Sequence, residues 1–365
     1  MGAAMFQLTR YSTAFAEAVR SDLLIYIVVT LYLVAGLFVH YQNGTTPFTL
    51  LGTYAGTWGV NFGIIGPYFA GLLGALHILH RLRKRRALAF RHMFAPRRVA
   101  RFLAGTLLLL TVLLLFTDMF STIKSGLSAG GSFPHDLVQA DIDKALHFGV
   151  DPYRLLYAVG EHQWLLRALE FNYNTLWFII CYFTLYWVVT SPRSERVRLR
   201  FVLTWFLSWI IVGNIVAGAF LSAGPAYYGF VTGDEARFAD QLAFLATSAD
   251  NLSSAHSYQA YLWSLHISGQ GGFGSGISAF PSMHVALATL IALFAGEHSR
   301  RLGAIMWAYV ALIVLSSVYL GWHYAIDGYA SIVLVTSIYW ALRLVQPRLA
   351  RLAWRPAGAA LPVPG

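Results

Sequence analysis

Apolar residues in this chain gather into long runs, with the polar residues collected between them. The stretch "LLIYIVVTLYLVAGLFVHY" (23–41) carries no charge, and "FLAGTLLLLTVLLLFTDMFS" (102–121) carries one. Several such runs approach or exceed the roughly 20 residues that cross a bilayer as helix. The pattern predicts eight spans: Asp22–Tyr41, Trp58–His80, Phe102–Ser121, Asn172–Thr190, Phe201–Leu221, Ser282–Glu297, Gly303–Gly321 and Gly328–Val345. The sixth, at 16 residues, is short for a span and leans on its neighbours. The expected fold is all-α, a polytopic transmembrane helical bundle.

The segments between spans add detail. The segment 122–171 contains "DIDKALHFGVDPYRLLYAVGEHQWLLRALEF", whose apolar spacing suits helices lying along the membrane interface. The segment 222–280 ends in "SGQGGFGSGISAF", which reads as a flexible hinge. Its glycines resemble a phosphate loop only superficially, since no Lys-Ser/Thr follows and no strand precedes. The tail "RPAGAALPVPG" (355–365) reads as disordered. No cleavable leader is apparent, because the first apolar run starts late and is long.

Composition fixes the solvent. Of 365 residues, 57% are hydrophobic and 12% charged, against about 25% charged in soluble chains. Of the 26 Lys and Arg, 21 fall on the side of the amino terminus, counting Arg343 at the inner end of the last span. By the positive-inside bias both termini are cytoplasmic. The net charge of +10 is therefore a topology signal, concentrated in "RLRKRRALAFRHMFAPRRVAR" (81–101), and does not indicate nucleic acid. The single cysteine, Cys181, lies within a span and excludes a disulfide framework or a cysteine metal site.

Candidate chemistry sits at two places. In "AFPSMHVALATL" (279–290), Pro281 suits the first turn of a helix. Ser282, Met283 and His284 would share that turn, whose free N–H groups attract anions, phosphate above all. Then "SSVYLGWHYAIDGYA" (316–330) places Asp327 four residues after His323, on one helix face, where the carboxylate can orient the ring. Spans six and seven form a hairpin, which returns the two histidines to the same, non-cytoplasmic side. A carboxylate-backed imidazole facing a second imidazole over an anion site suits phosphoryl transfer through a phosphohistidine, with no metal or cofactor required. A metal site built from the same three residues lacks any recognisable ligand spacing.

At these residues the chain resembles the type-2 phosphatidic acid phosphatase superfamily, integral-membrane lipid phosphatases and phosphotransferases with a six-helix core. "FPSMH" and "SSVYLGWHYAID" are similar to its P-S-G-H and S-R-x5-H-x3-D signatures. The resemblance implies His323 as nucleophile, Asp327 as its orienting partner and His284 as acid/base, with Ser282 and Ser316 in the phosphate pocket. It implies a catalytic core over 102–345, preceded by an addition of two spans (1–101) and followed by a basic tail (346–365).

Departures from the family pattern narrow the resemblance. Ser317 stands where the family has Arg, and Met283 where it has Gly; the first signature, K-x6-R-P, is absent, "SAGPAYYG" (222–229) lying in its place. This pattern is closer to the branch of the fungal inositol phosphorylceramide synthases and the sphingomyelin synthases. A phosphomonoester carries close to two charges and normally gathers Arg or Lys. A pocket furnished by a helix terminus, Ser282, Ser316, Ser317 and Tyr227 or Tyr228 suits the single charge of a phosphodiester. The expected partners are a phospholipid donor and a lipid alcohol acceptor, or water if the protein is a phosphatase; a non-catalytic lipid transporter or scaffold is the third possibility. Arg237, Arg154 or Arg167 could fold back over the site. His256 and His266 are expected in structural roles, Asp118 in local pairing, and Asn214 in a hydrogen bond to a neighbouring helix.

Overall fold

The computed structural model describes residues 2–81, 83–128 and 132–352. It is all helical among those residues, and the protein is an integral membrane protein. After a leading helix, α1 (Gly2–Arg20), come three long ones, α2 (Leu23–Asn43), α3 (Leu51–His80) and α4 (Pro96–Leu127). Short helices α5 (Asp136–Leu146) and α6 (Pro152–Gly160) lead to α7 (Gln163–Thr190) and α8 (Pro192–Ala219). A second pair, α9 (Ala239–Ala246) and α10 (Ala255–Ser268), precedes α11 (Met283–His298), α12 (Arg300–Tyr319) and α13 (Ala325–Leu352).

Seven of the long helices are apolar enough to cross a membrane; α11 is the shorter apolar one. All eight expected spans are therefore present as helices, but their boundaries differ. Helices α3, α4, α7 and α8 begin well before Trp58, Phe102, Asn172 and Phe201, because helix continues through polar turns that hydropathy leaves out. Helix α13 likewise runs past Val345 to Leu352. The expectation for the tail 355–365 lies outside the described residues.

Helix α11 explains its own brevity. Nearly all of it is buried, from Met283 to Ala295, so it is apolar all round and occupies the centre of the bundle. Helices α7, α8, α12 and α13 pack around it. Residues such as Leu31, Ile64 and Val333 are exposed and apolar, as lipid-facing positions require. The turn from α11 to α12 is a single residue, Ser299, whose hydroxyl accepts from the Leu302 amide at 3.4 Å. Gly303 permits it: a Cβ there would lie 2.7 Å from Gly296 Cα. Asn214 accepts from the Tyr32 hydroxyl at 2.5 Å, the expected interhelical bond.

The end of the bundle opposite the histidines is held by ions. Asp22, ahead of α2, receives Arg101 from α4 and, at 3.1 Å, Arg198 from α8, and all three are buried. Arg200 pairs with Glu297, which also accepts from the Tyr339 hydroxyl at 2.6 Å. A buried ion cluster adds little over an apolar core, but losing one partner leaves charge stranded. Asp22→Asn leaves two buried guanidiniums without their carboxylate. It is expected to lower stability by about 3–5 kcal/mol, read as a fall in the unfolding midpoint of the detergent-purified protein.

Candidate active site

The site is built where α12 ends and α11 and α13 begin. The last carbonyls of α12 have no intrahelical donors, and side chains from outside supply them. Gln241 on α9 donates to Val318 O at 2.7 Å, and Gln259 on α10 donates to Leu320 O at 2.9 Å. Ala226 N donates to Gly321 O at 2.9 Å. Gly321, at φ 69°, turns the chain back so that the amides of Trp322 and His323 donate to Ser317 O at 3.0 and 3.3 Å. His323 is thereby fixed in the short loop 320–324, pinned at both ends.

Helix α13 then starts against two carboxylates. Asp143, on α5, accepts from the amides of Ala325 and Ile326 at 3.0 and 3.1 Å. Asp327 accepts from Tyr324 N at 3.1 Å and from His323 Nδ1 at 3.2 Å. With its Nδ1–H on Asp327, the ring keeps Nε2 as its lone-pair nitrogen. Asp136, also on α5, accepts from the amides of Ala223 and Gly224 at 2.6 and 2.9 Å and from the Tyr324 hydroxyl at 2.8 Å. The segment expected to lie on the interface thus turns a buried polar face, Asp136, Gln139 and Asp143, into the site's foundation.

Helix α11 is tied to α13 through its cap. Ser282 N donates to Asp327 O at 3.2 Å, and the Ser331 hydroxyl reaches both Ser282 O and Asp327 O at 2.8 Å. The Ser282 hydroxyl caps Val285 N at 3.5 Å. Pro281 stands before this cap, in a cis peptide, instead of inside the first turn. His284 is therefore the second helical residue. Its ring lies against Tyr173 and Trp177, both with centroids 4.0 Å away, and its carbonyl accepts from Trp177 Nε1 at 2.9 Å. Neither ring nitrogen of His284 has a protein partner among the described residues.

Both histidines line one cavity of about 290 Å³, whose wall is rich in aromatic side chains, including Tyr54, Trp58, Phe120 and Trp209. Lys124, on α4, lines it too, and is the one Lys or Arg that does so among the described residues. Burial pushes the His323 imidazole down to about 3; the Ala279 carbonyl opposes that fall and the Lys124 charge adds to it. The ring is neutral at physiological pH.

The other expected site residues are placed differently. Tyr227 lines the cavity, though its hydroxyl donates to Gln259 O at 3.1 Å. Tyr228, Ser316 and Ser317 do not line it. The Tyr228 hydroxyl accepts from Arg237 at 3.2 Å. The hydroxyls of Ser316 and Ser317 return to the carbonyls of Leu312 and Val314 at 2.7 and 2.8 Å, the local bond a short hydroxyl makes on a helix. Ser282 is buried behind the cavity wall as a cap. The three arginines do not fold over the site: Arg237 is held by Asp151 and Asp141, Arg154 by Asp240, and Arg167 by Asp250. His266 packs on Phe133 and Trp263, and the buried Asp118 lies off the cavity.

Sequence reasoning passed over Lys124, Tyr173 and Trp177, and also Asp136 and Asp143. For Lys124 the signal in the sequence was its spacing from Thr117 and Ser121, which puts all three on one helix face. For the two aspartates it was their separation by about two helical turns on a short helix.

The chain is thus a polytopic helical membrane protein in which a carboxylate-backed histidine and a second histidine line one cavity. The family model of the PAP2 superfamily matches residues 139–341, more than half of the chain and both histidine motifs, and the chain belongs to that superfamily. It is a phosphatase- or phosphotransferase-type lipid enzyme acting on lipid phosphates in a membrane. No curated protein and no solved structure matches.

The lowered value of His323 has a consequence for stability. Between about pH 6.5 and 3 the unfolded chain protonates this ring and the folded one does not, so stability falls as pH falls through that window. His323→Asn is expected to flatten the slope of the unfolding midpoint against pH there; an unchanged slope would contradict a neutral buried ring.

Proposed function

We propose that the protein moves a phospho-headgroup from a phospholipid to a lipid alcohol through a phosphohistidine on His323. The observation that carries this reading is the convergence of His284, the His323–Asp327 pair and an aromatic cavity at the start of α11. Nε2 of His323 attacks phosphorus, and the bond from phosphorus to the diacylglycerol oxygen breaks. His284, protonated, gives its proton to that oxygen. The acceptor alcohol then loses its proton to His284 and attacks phosphorus, and the P–N bond breaks, restoring His323. The amides of Met283 and His284, unpartnered among the described residues, are donors for the phosphate oxygens. The scheme uses no metal and no cofactor.

The catalytic core in this reading is 102–345, with 1–101 as an added segment that contributes Tyr54 and Trp58 to the cavity wall. The excess of Lys and Arg at the other end of the bundle supports a cytoplasmic position for both termini and a site on the periplasmic, extracellular or lumenal side. The absence of a cation cluster around the cavity, among the described residues, supports the branch of the inositol phosphorylceramide and sphingomyelin synthases. A lipid phosphatase using water is the second reading; Lys124 favours it, by adding a cation where none was expected.

Purified protein is expected to turn over a phosphodiester donor only when a lipid alcohol is supplied. Steady release of inorganic phosphate from a monoester at a comparable or higher rate would establish the phosphatase reading instead. His284→Ala is expected to lower kcat by on the order of 10²–10⁴-fold, and His323→Ala to abolish turnover; unchanged function in the latter would leave a scaffold.

A further inference from the structure

We propose that Lys124 is the cation that binds the substrate phosphate in this cavity. The inference rests on the phosphoryl-transfer reading and adds a phosphate-binding residue to that same site. Lys124 lies outside the matched region 139–341, on α4, and no motif points to it.

Its placement is specific. Thr117, Phe120, Ser121 and Lys124 all line the cavity, which makes them one face of α4. The segment carrying Ser275 and Gly276 crosses the backbone of α4 at this point. Gly276, at φ 97°, lies so close that a Cβ would be 2.8 Å from Ser125 N and 2.9 Å from Lys124 Cγ. The Ser125 hydroxyl donates to the Ser275 hydroxyl at 3.1 Å. The stem of the lysine is therefore confined between helix and crossing chain.

Its head is unmatched. Lys124 makes no ion pair and no side-chain hydrogen bond among the described residues, and no Asp or Glu lines the cavity. It lines the same cavity as His284 and His323. An uncompensated ammonium in an aromatic chamber is costly unless an anion joins it.

The test uses the full-length protein in detergent, with inorganic phosphate as the probe and tryptophan fluorescence as the signal, since Trp58, Trp177 and Trp209 line the cavity. Lys124→Met, which keeps the apolar stem, is expected to weaken phosphate binding by at least about tenfold. Lys124→Arg is expected to stay within about threefold of the parent. The methionine variant should raise KM for the phosphodiester donor more than it lowers kcat. Unchanged phosphate affinity in Lys124→Met overturns the proposal, and so does an arginine variant as impaired as the methionine one, which would mark a structural role. If the methionine variant does not fold, Lys124→Gln takes its place under the same criteria. Phosphate affinity is read without turnover, so an inactive parent protein would refute the transfer reading while leaving the Lys124 result separately decided.

Discussion

Two helices, α11 and α13, begin side by side at the site, each presenting amides without intrahelical partners and the positive end of its dipole. In an apolar surround those groups must be satisfied. The bundle solves this by cross-linking: Ser282 N to Asp327 O, the Ser331 hydroxyl to both carbonyls, and Asp143 over the first amides of α13. The consequence is chemical. His284 is the second residue of α11, and His323 and Asp327 flank the start of α13, so the tie that satisfies the backbone also faces the two imidazoles into one chamber. The amides of Met283 and His284 have no hydrogen-bond partner among the described residues.

The supporting layers follow from that tie. Helix α5 contributes two carboxylates, Asp136 and Asp143, that accept from backbone amides, so it holds the His323 loop by geometry that a substrate does not need to supply. Gln241 and Gln259 do the same for the end of α12. Aromatic stacking on His284 fixes its ring without using its nitrogens. At the far end, Asp22 and Glu297 gather the arginines that hydropathy assigns to loops, and Asp22 joins the first helices to the core.

Much of this was legible in the sequence, for identifiable reasons. The spans show because an uncharged apolar run of some twenty residues is stable chiefly as a bilayer-crossing helix. The pair His323–Asp327 shows because a four-residue spacing fixes a shared face. Helix ends were misplaced where helix persists through polar residues, as at Leu51 and Gln163. Ser316 and Ser317 were assigned to the pocket by analogy with a signature, yet a serine on a helix has a nearer acceptor in its own preceding turn. Lys124 was concealed by its setting: a lone cation at the end of a span reads as a topology charge, and only the crossing of Gly276 over α4 shows that it is turned inward. Asp143 was invisible for a different reason, since its partners are backbone amides more than 180 residues away.

The central claim is that His323 forms a covalent bond to phosphorus. Incubating the protein with a phosphodiester donor, quenching in alkali to preserve a phosphoramidate, and mapping peptides by mass tests it directly. A phosphohistidine mechanism predicts a mass increment equal to the phospho-headgroup on the peptide containing His323, absent from His323→Ala. An unmodified His323 peptide under conditions of demonstrated turnover, or an increment carried by another residue, would contradict it.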